Sequence, residues 1–220
     1  MIKLAIFDCD GTLVDSGATI HSALRTTFEA HGLHCPPRDV TKKVIGLSLE
    51  QAMAALVPDA DHDALSITYR NAFMAMRGAG EVEEPLFDGI VELLDRMESD
   101  GWLLGVATGK SERGLRHCLL SHGLLERFVT LQTSDRNPSK PHPAMALSAM
   151  AEVGAQPGQT IFVGDTAWDM GCARDAGVGA LGAGWGYHDA EELAAKGAHA
   201  VAERPCDVVA MADEWIGRIT

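Results

Sequence analysis

The sequence predicts an α/β protein: a mainly parallel sheet covered by helices on both faces, with a block of helices inserted after the first strand. Three observations predict it. Short, nearly continuous apolar runs recur at 2–8, 102–107, 128–132, 160–164 and 178–182, as expected of strands buried on both faces. Amphipathic helical patterns separate the later runs, at about 88–100, 111–123, 143–153 and 168–176, which is the rhythm of parallel crossover units. From about Ser16 to Glu83 there is no convincing strand, only helical pattern.

Taken in order, the first run (Ile2, Leu4, Ala5, Ile6, Phe7) leads to Asp8 and Asp10, followed at once by Gly11. On an extended segment that spacing puts both carboxylates on one side. Crowded acids at the end of a buried strand repel each other unless a cation sits between them or one holds a proton. Asp-x-Asp-Gly is also an ordinary turn sequence, so the pair alone leaves both readings open. Helical stretches follow at 17–32, 38–45, 48–57 and 61–78, punctuated by Gly32, Pro36-Pro37, Gly46, Pro58, Gly78 and Gly80. They are expected to form a helical cap domain over 16–83, hinged near Asp15-Ser16-Gly17 and Glu83-Glu84-Pro85, on a Rossmann-like core made of 1–15 and 84–220.

The second strand run, 102–107, is followed by Thr108-Gly109-Lys110-Ser111, and the third by a loop from Ser134 to Pro143 that contains Lys140. The fourth is followed by Asp165-Thr166 and then Asp169. In open α/β sheets ligands bind outside the carboxyl ends of the strands, where strand order reverses, so these polar residues are expected along one edge.

Composition sets the outer limits. The 220 residues are 46% hydrophobic and 22% charged, enough for one large domain or a domain with a smaller insertion. A net charge of −13 disfavours nucleic acid and anionic membranes as partners, and obliges any phosphate site to bring its own cation, lysine or backbone donors. The cysteines (Cys9, Cys35, Cys118, Cys172, Cys206) are scattered, odd in number and without metal spacing, so they read as reduced thiols of a cytoplasmic protein. The first apolar run is too short for a signal peptide and ends in acids, and no stretch approaches the roughly 20 apolar residues of a membrane helix.

Asp8-x-Asp10-Gly-Thr-Leu-Val-Asp15, Thr108-Gly109, Lys140-Pro-His-Pro143 and Gly164-Asp165-x-x-x-Asp169 together resemble the four ordered motifs of the haloacid-dehalogenase-type hydrolase superfamily. The helical insertion resembles its helical-cap subclass, and Gly184-Trp-Gly-Tyr-His-Asp-Ala-Glu-Glu-Leu193 its phosphoglycolate-phosphatase-like branch. The resemblance spans essentially the whole chain. It implies a Mg²⁺-dependent phosphatase acting on a small phosphorylated metabolite (phosphoglycolate or a sugar phosphate monoester) through an aspartyl-phosphate, in a chain acting as monomer or homodimer.

The residue types suit these roles. Asp8 would be the nucleophile, and Asp8 with Asp165 would hold Mg²⁺, a hard cation that prefers oxygen ligands; the family also implies the backbone carbonyl of Asp10. Asp169 is expected outside the ligand set, orienting metal-bound water or Lys140. Lys140 would screen Asp8 and the transferring phosphoryl group. The Thr108 hydroxyl and the Gly109 amide would hold phosphate oxygens at a helix N-terminus, and Asp10 would protonate the leaving alkoxide and then activate water. Specificity would come from the loop Lys43-Val44-Ile45-Gly46-Leu47-Ser48, which in the family faces the core site, with Lys43 or Ser48 touching the substrate's remote end.

Singly, each motif has a plain alternative: Lys140 as a solvated loop lysine, Thr108-Gly109 as a helix-entry turn, Asp165 and Asp169 as capping acids. Their convergence on strand ends distinguishes the readings. Gly177 to Gly182 matches G-x-G-x-x-G but lies on a strand run instead of opening a helix. Leu104 to Ser111 lacks the first glycine of a phosphate loop. His31, His34 and Cys35 lack a fourth metal ligand nearby, and Cys9 is expected to face the core. Asp10 argues against the superfamily's dehalogenases and phosphonoacetaldehyde hydrolases. The alternatives that remain are a β-phosphoglucomutase-like sugar phosphomutase and a catalytically silent phospho-ligand-binding protein.

Overall fold

The computed structural model describes residues 2–217. Six strands, β1 (Lys3–Phe7), β2 (Trp102–Thr108), β3 (Phe128–Thr133), β4 (Thr160–Gly164), β5 (Gly179–Ala183) and β6 (Ala200–Ala202), form one sheet in the order β3-β2-β1-β4-β5-β6. Every neighbouring pair is parallel. The five expected strands are present. β6 is an addition: its three residues, Ala-Val-Ala, carry too little pattern to be read locally and pair with β5 through Leu181↔Ala200 to Ala183↔Ala202.

β1 serves two cores because its side chains alternate. Ala5 and Phe7 of β1 join a cluster with Leu93 and Leu94 of α5 (Ile90–Ser99), Leu115 and Leu119 of α6 (Glu112–Ser121), and Val208 and Ala212 of α10 (Val208–Gly217). Leu4 and Ile6 face the other way, against Met145 and Ala149 of α7 (Ala144–Val153), Met170 and Ala173 of α8 (Ala167–Ala176), and Leu193 of α9 (Ala190–Ala195). Cys9 is buried, as expected.

Four helices lie between β1 and α5: α1 (Gly17–Ala30), α2 (Arg38–Lys42), α3 (Leu49–Leu56) and α4 (His62–Gly78). They have a core of their own, Leu24, Phe28, Met53 and Leu65. The expected helix over 38–45 stops at Lys42, and turns carry the chain through Gly46 to Ser48, whose hydroxyl caps α3. His31 Nε2 lies 2.8 Å from Thr68 Oγ1, and Cys35 Sγ donates to Pro36 O (3.5 Å). The chain leaves and re-enters the sheet side by side: Asp15 N–H donates to Pro85 O (2.8 Å), Val14 bridges Leu86, and Thr19 Oγ1 donates to Glu83 O (2.7 Å). No helix among the described residues is long and apolar enough to cross a membrane.

Candidate active site

Strand order reverses at β1, which lies between β2 and β4, and the polar residues expected at these strand ends meet there. Lys140, fully buried, is the hub. Its ammonium donates to Asp169 Oδ1 (2.6 Å) and Ala107 O (3.3 Å) and lies 3.0 Å from Asp8 Oδ2. Asp169 is itself fixed: its Oδ2 accepts from the Thr166 amide (2.9 Å) and hydroxyl (2.6 Å) in a capping box that opens α8. With both oxygens engaged, Asp169 aims Lys140 at Asp8. Asp165 follows β4 and accepts from Thr12 Oγ1 (3.0 Å) and Tyr187 N–H (2.9 Å). Gly11 is required beside it, since a Cβ there would lie 2.2 Å from Asp165 Oδ2 and the backbone φ is +87°.

The donor set fits a hard divalent cation. Carboxylate oxygens of Asp8, Asp165 and Asp169 lie within 4.8 Å of one another, all buried. Three carboxylates against the one ammonium of Lys140 leave an excess of two negative charges when all are ionised. Asp8 Oδ2 is buried without a hydrogen bond, the Lys140 contact being an ion pair outside hydrogen-bond alignment. Burial pushes the Asp8 carboxyl up to about 7, with Lys140 opposing the rise and Asp169 and Asp10 adding to it. Burial likewise holds Asp165 well above the usual carboxylate range, followed by the charges of Asp169 and Asp8. Lys140 stays above its ordinary value because Asp169 and Asp8 outweigh the opposing effect of burial. Of the three acids, Asp8 and Asp165 keep the most free acceptor capacity, and Mg²⁺ takes oxygen ligands of this kind.

Asp10 is set apart from this cluster. Its Oδ1 accepts from Ser16 Oγ (2.5 Å) and Lys110 Nζ (2.7 Å), and Oδ2 has no partner among the described residues. Lys110 continues to Glu84 Oε1 (2.9 Å), so one buried ammonium ties Asp10 to the segment by which the chain returns from the four helices. Its proton is held more tightly than usual, since Asp10 and Glu84 outweigh burial. The sequence places Lys110 with Thr108 among the polar residues at this strand end, but nothing local assigns it a role. Tyr187 is a second omission. Its amide serves Asp165, while its hydroxyl accepts from Gly17 N–H (2.7 Å) and donates to Asp15 Oδ1 (2.9 Å).

Thr108 is buried at the end of β2, its hydroxyl accepting from Lys110 N–H (3.2 Å) in the turn before Ser111 caps α6. The 43–48 loop is seated on the core around this turn. A Cβ on Gly109 would lie 2.2 Å from Leu47 O, Ser48 N–H donates to Ser139 Oγ (2.8 Å), and Trp168 Nε1 donates to Lys43 O (3.2 Å). The Lys43 ammonium reaches Glu192 at 2.5 Å. In this arrangement Lys43 is part of the contact between loop and core, while Ser48 lines a cavity that also includes Asp10, Gly109 and Lys110.

Comparison with known proteins agrees with this geometry. Residues 5–183 match the family model of haloacid dehalogenase-like hydrolases. A probable phosphatase, IndB, of Dickeya dadantii is 33% identical over 96% of this chain and 94% of its own length. A phosphoglycolate phosphatase of Xylella fastidiosa is 30% identical over 86% and 83%. A haloacid dehalogenase-like family hydrolase of Streptococcus pneumoniae superposes with a TM-score of 0.83 at 28% identity, over 95% of this chain and 97% of that one. The strand order, the buried Asp8–Lys140–Asp169 cluster at its switch point, and these matches place the chain in the haloacid dehalogenase-like hydrolase family.

Proposed function

We propose that this phosphoric monoester hydrolase acts on a small phosphorylated metabolite, phosphoglycolate or a sugar phosphate monoester, in a Mg²⁺-dependent reaction through an aspartyl-phosphate on Asp8. The observation that carries the reading is Asp8 Oδ2, a buried carboxylate oxygen without a hydrogen bond, 3.0 Å from the Lys140 ammonium. An oxygen so placed has a lone pair for phosphorus and a cation beside it.

Mg²⁺, held by Asp8, Asp165 and the Asp10 carbonyl, would supply charge that screens Asp8 from the anionic phosphate. Asp8 attacks phosphorus; the new carboxyl O–P bond forms as the ester P–O bond breaks, and Asp10 gives its proton to the departing oxygen. Asp10 then takes a proton from water, whose oxygen attacks the phosphorus of the aspartyl-phosphate and releases phosphate and free Asp8. Lys140 balances charge on Asp8 throughout, and Asp169 keeps it in place. Thr108 and Gly109 hold the phosphoryl oxygens. Residues 16–83 act as a cap on the hinges at Asp15–Gly17 and Glu83–Pro85, opening to admit substrate and closing to exclude water.

The test is release of free phosphate from a panel of phosphate esters with Mg²⁺. Release that requires both Asp8 and Mg²⁺ supports the reading, and inertness toward the whole panel overturns it.

A further inference from the structure

The space left for the leaving group narrows the substrate, an inference that rests on the phosphatase reading above. With the 43–48 loop seated on the core, a cavity of about 300 Å³ remains between α1, α3, α4 and the Thr108–Ser111 turn, with Asp10 in its wall. Since Asp10 is the group placed to protonate the leaving oxygen, the rest of the leaving group occupies this cavity. It has room for about ten water molecules, far more than a two-carbon acid fills. Its apolar wall includes Ile20, Leu24, Leu49, Tyr69, Phe73 and Met74, and the Tyr69 and Phe73 rings stand 6.0 Å apart at 38°.

The lining cations are only partly engaged by carboxylates. Lys110 is bound by Asp10 and Glu84, and Arg70 lies 3.5 Å from Glu50; Arg77 lies 3.7 Å from Glu84, with its Nε and Nη2 buried and without a hydrogen bond. Arg113, a lining cation without a carboxylate partner among the described residues, is exposed and rests against the Met74 sulfur (3.9 Å). A glycolate carboxylate pairing with a cation here would leave most of the apolar wall uncovered, whereas a larger apolar group removes that wall from water. We propose that the preferred substrate is the phosphate monoester of a bulky, largely apolar alcohol carrying a ring, with Tyr69 and Phe73 as the residues that select it.

The experiment compares kcat/KM with Mg²⁺ for ethyl, butyl and benzyl phosphate and for phosphoglycolate, all esters of primary alcohols. Burial of the added hydrocarbon is expected to raise kcat/KM about tenfold or more from ethyl to benzyl, and to place benzyl phosphate above phosphoglycolate by a similar factor. A flat series, or phosphoglycolate equal to benzyl phosphate, overturns the proposal. Phe73→Ala is expected to lower the benzyl-to-ethyl ratio about tenfold; the ratio is internal to each preparation, so partial folding does not obscure it. Should that variant not fold, Met74→Ala, at a half-exposed position, is read the same way, and an unchanged ratio overturns the proposal. Turnover of no ester would overturn the phosphatase reading instead. The cavity is then tested by thermal protection with benzylphosphonate against phosphonoacetate: greater protection by the benzyl compound supports the proposal, and equal or lesser protection overturns it.

Discussion

Lys110 Nζ lies 2.7 Å from Asp10 Oδ1, in a buried ion pair that the same ammonium extends to Glu84 at 2.9 Å. The acid assigned to protonate the leaving group is thereby fixed to the chain's return crossing from the four helices, and Ser16 at the outgoing crossing holds the same oxygen. Asp10 is thus held from both crossings between the sheet and the four helices.

Lys110→Met leaves Asp10 and Glu84 buried without their cation. It should cost about 3–5 kcal/mol of stability, measured by urea denaturation. It should also lower kcat for alkyl phosphates by about tenfold to a hundredfold, with a smaller loss for aryl phosphates, whose leaving groups depend less on an acid. Equal losses for both ester classes would mean that Lys110 does not act through Asp10.

Asp8→Asn removes the attacking oxygen and should reduce phosphate release by on the order of a thousandfold or more. Lys140→Ala should cost on the order of 3 kcal/mol of transition-state stabilisation, by analogy with loss of an oxyanion donor. Steady-state phosphate release in saturating Mg²⁺ measures both, and a fall of less than tenfold in kcat for the lysine variant would remove it from the mechanism.

Because Asp8, Asp165 and Asp169 leave an excess of negative charge in a buried site when all are ionised, Mg²⁺ should stabilise the fold. At a hundred times its Kd the cation adds about 2.7 kcal/mol, a rise of about 5–10 °C in Tm for a chain of this size. Thermal denaturation against Mg²⁺, with EDTA as the baseline, checks this. Asp165→Asn should lose most of the shift.

The thiols should divide by burial. Cys206 is exposed and should react with a thiol reagent at once, while Cys35 is half-buried with its pKa raised by burial and should react more slowly. Cys9, Cys118 and Cys172 are buried. Burial also pushes Cys172 up to about 12, so almost none of its thiol is ionised at pH 8. Timed alkylation followed by mass spectrometry should find these three labelled only after unfolding.

The parallel sheet, the helical insertion and the residues at the strand ends were legible in the sequence because each rests on local pattern: apolar runs, helical periodicity, and polar residues at the ends of runs. Asp8 and Asp165 converge because β1 and β4 are neighbours at the switch point, and the loop after β3 and the first turn of α8 bring Lys140 and Asp169 to the same place. What the sequence did not disclose depends on approach across long stretches of chain. β6 is defined by pairing with β5 more than by its own three residues. Lys43, expected toward substrate, meets Glu192 because the folded core brings α9 beneath the 43–48 loop. Lys110 gains its meaning from Asp10, 100 residues away in the chain, and Glu84, 26 residues away, which no local period relates. Local hydrophobic pattern thus determined the scaffold and where chemistry could gather on it. Tertiary packing alone decided which charges were paired, and so which acid was held and which cavity was left for the substrate.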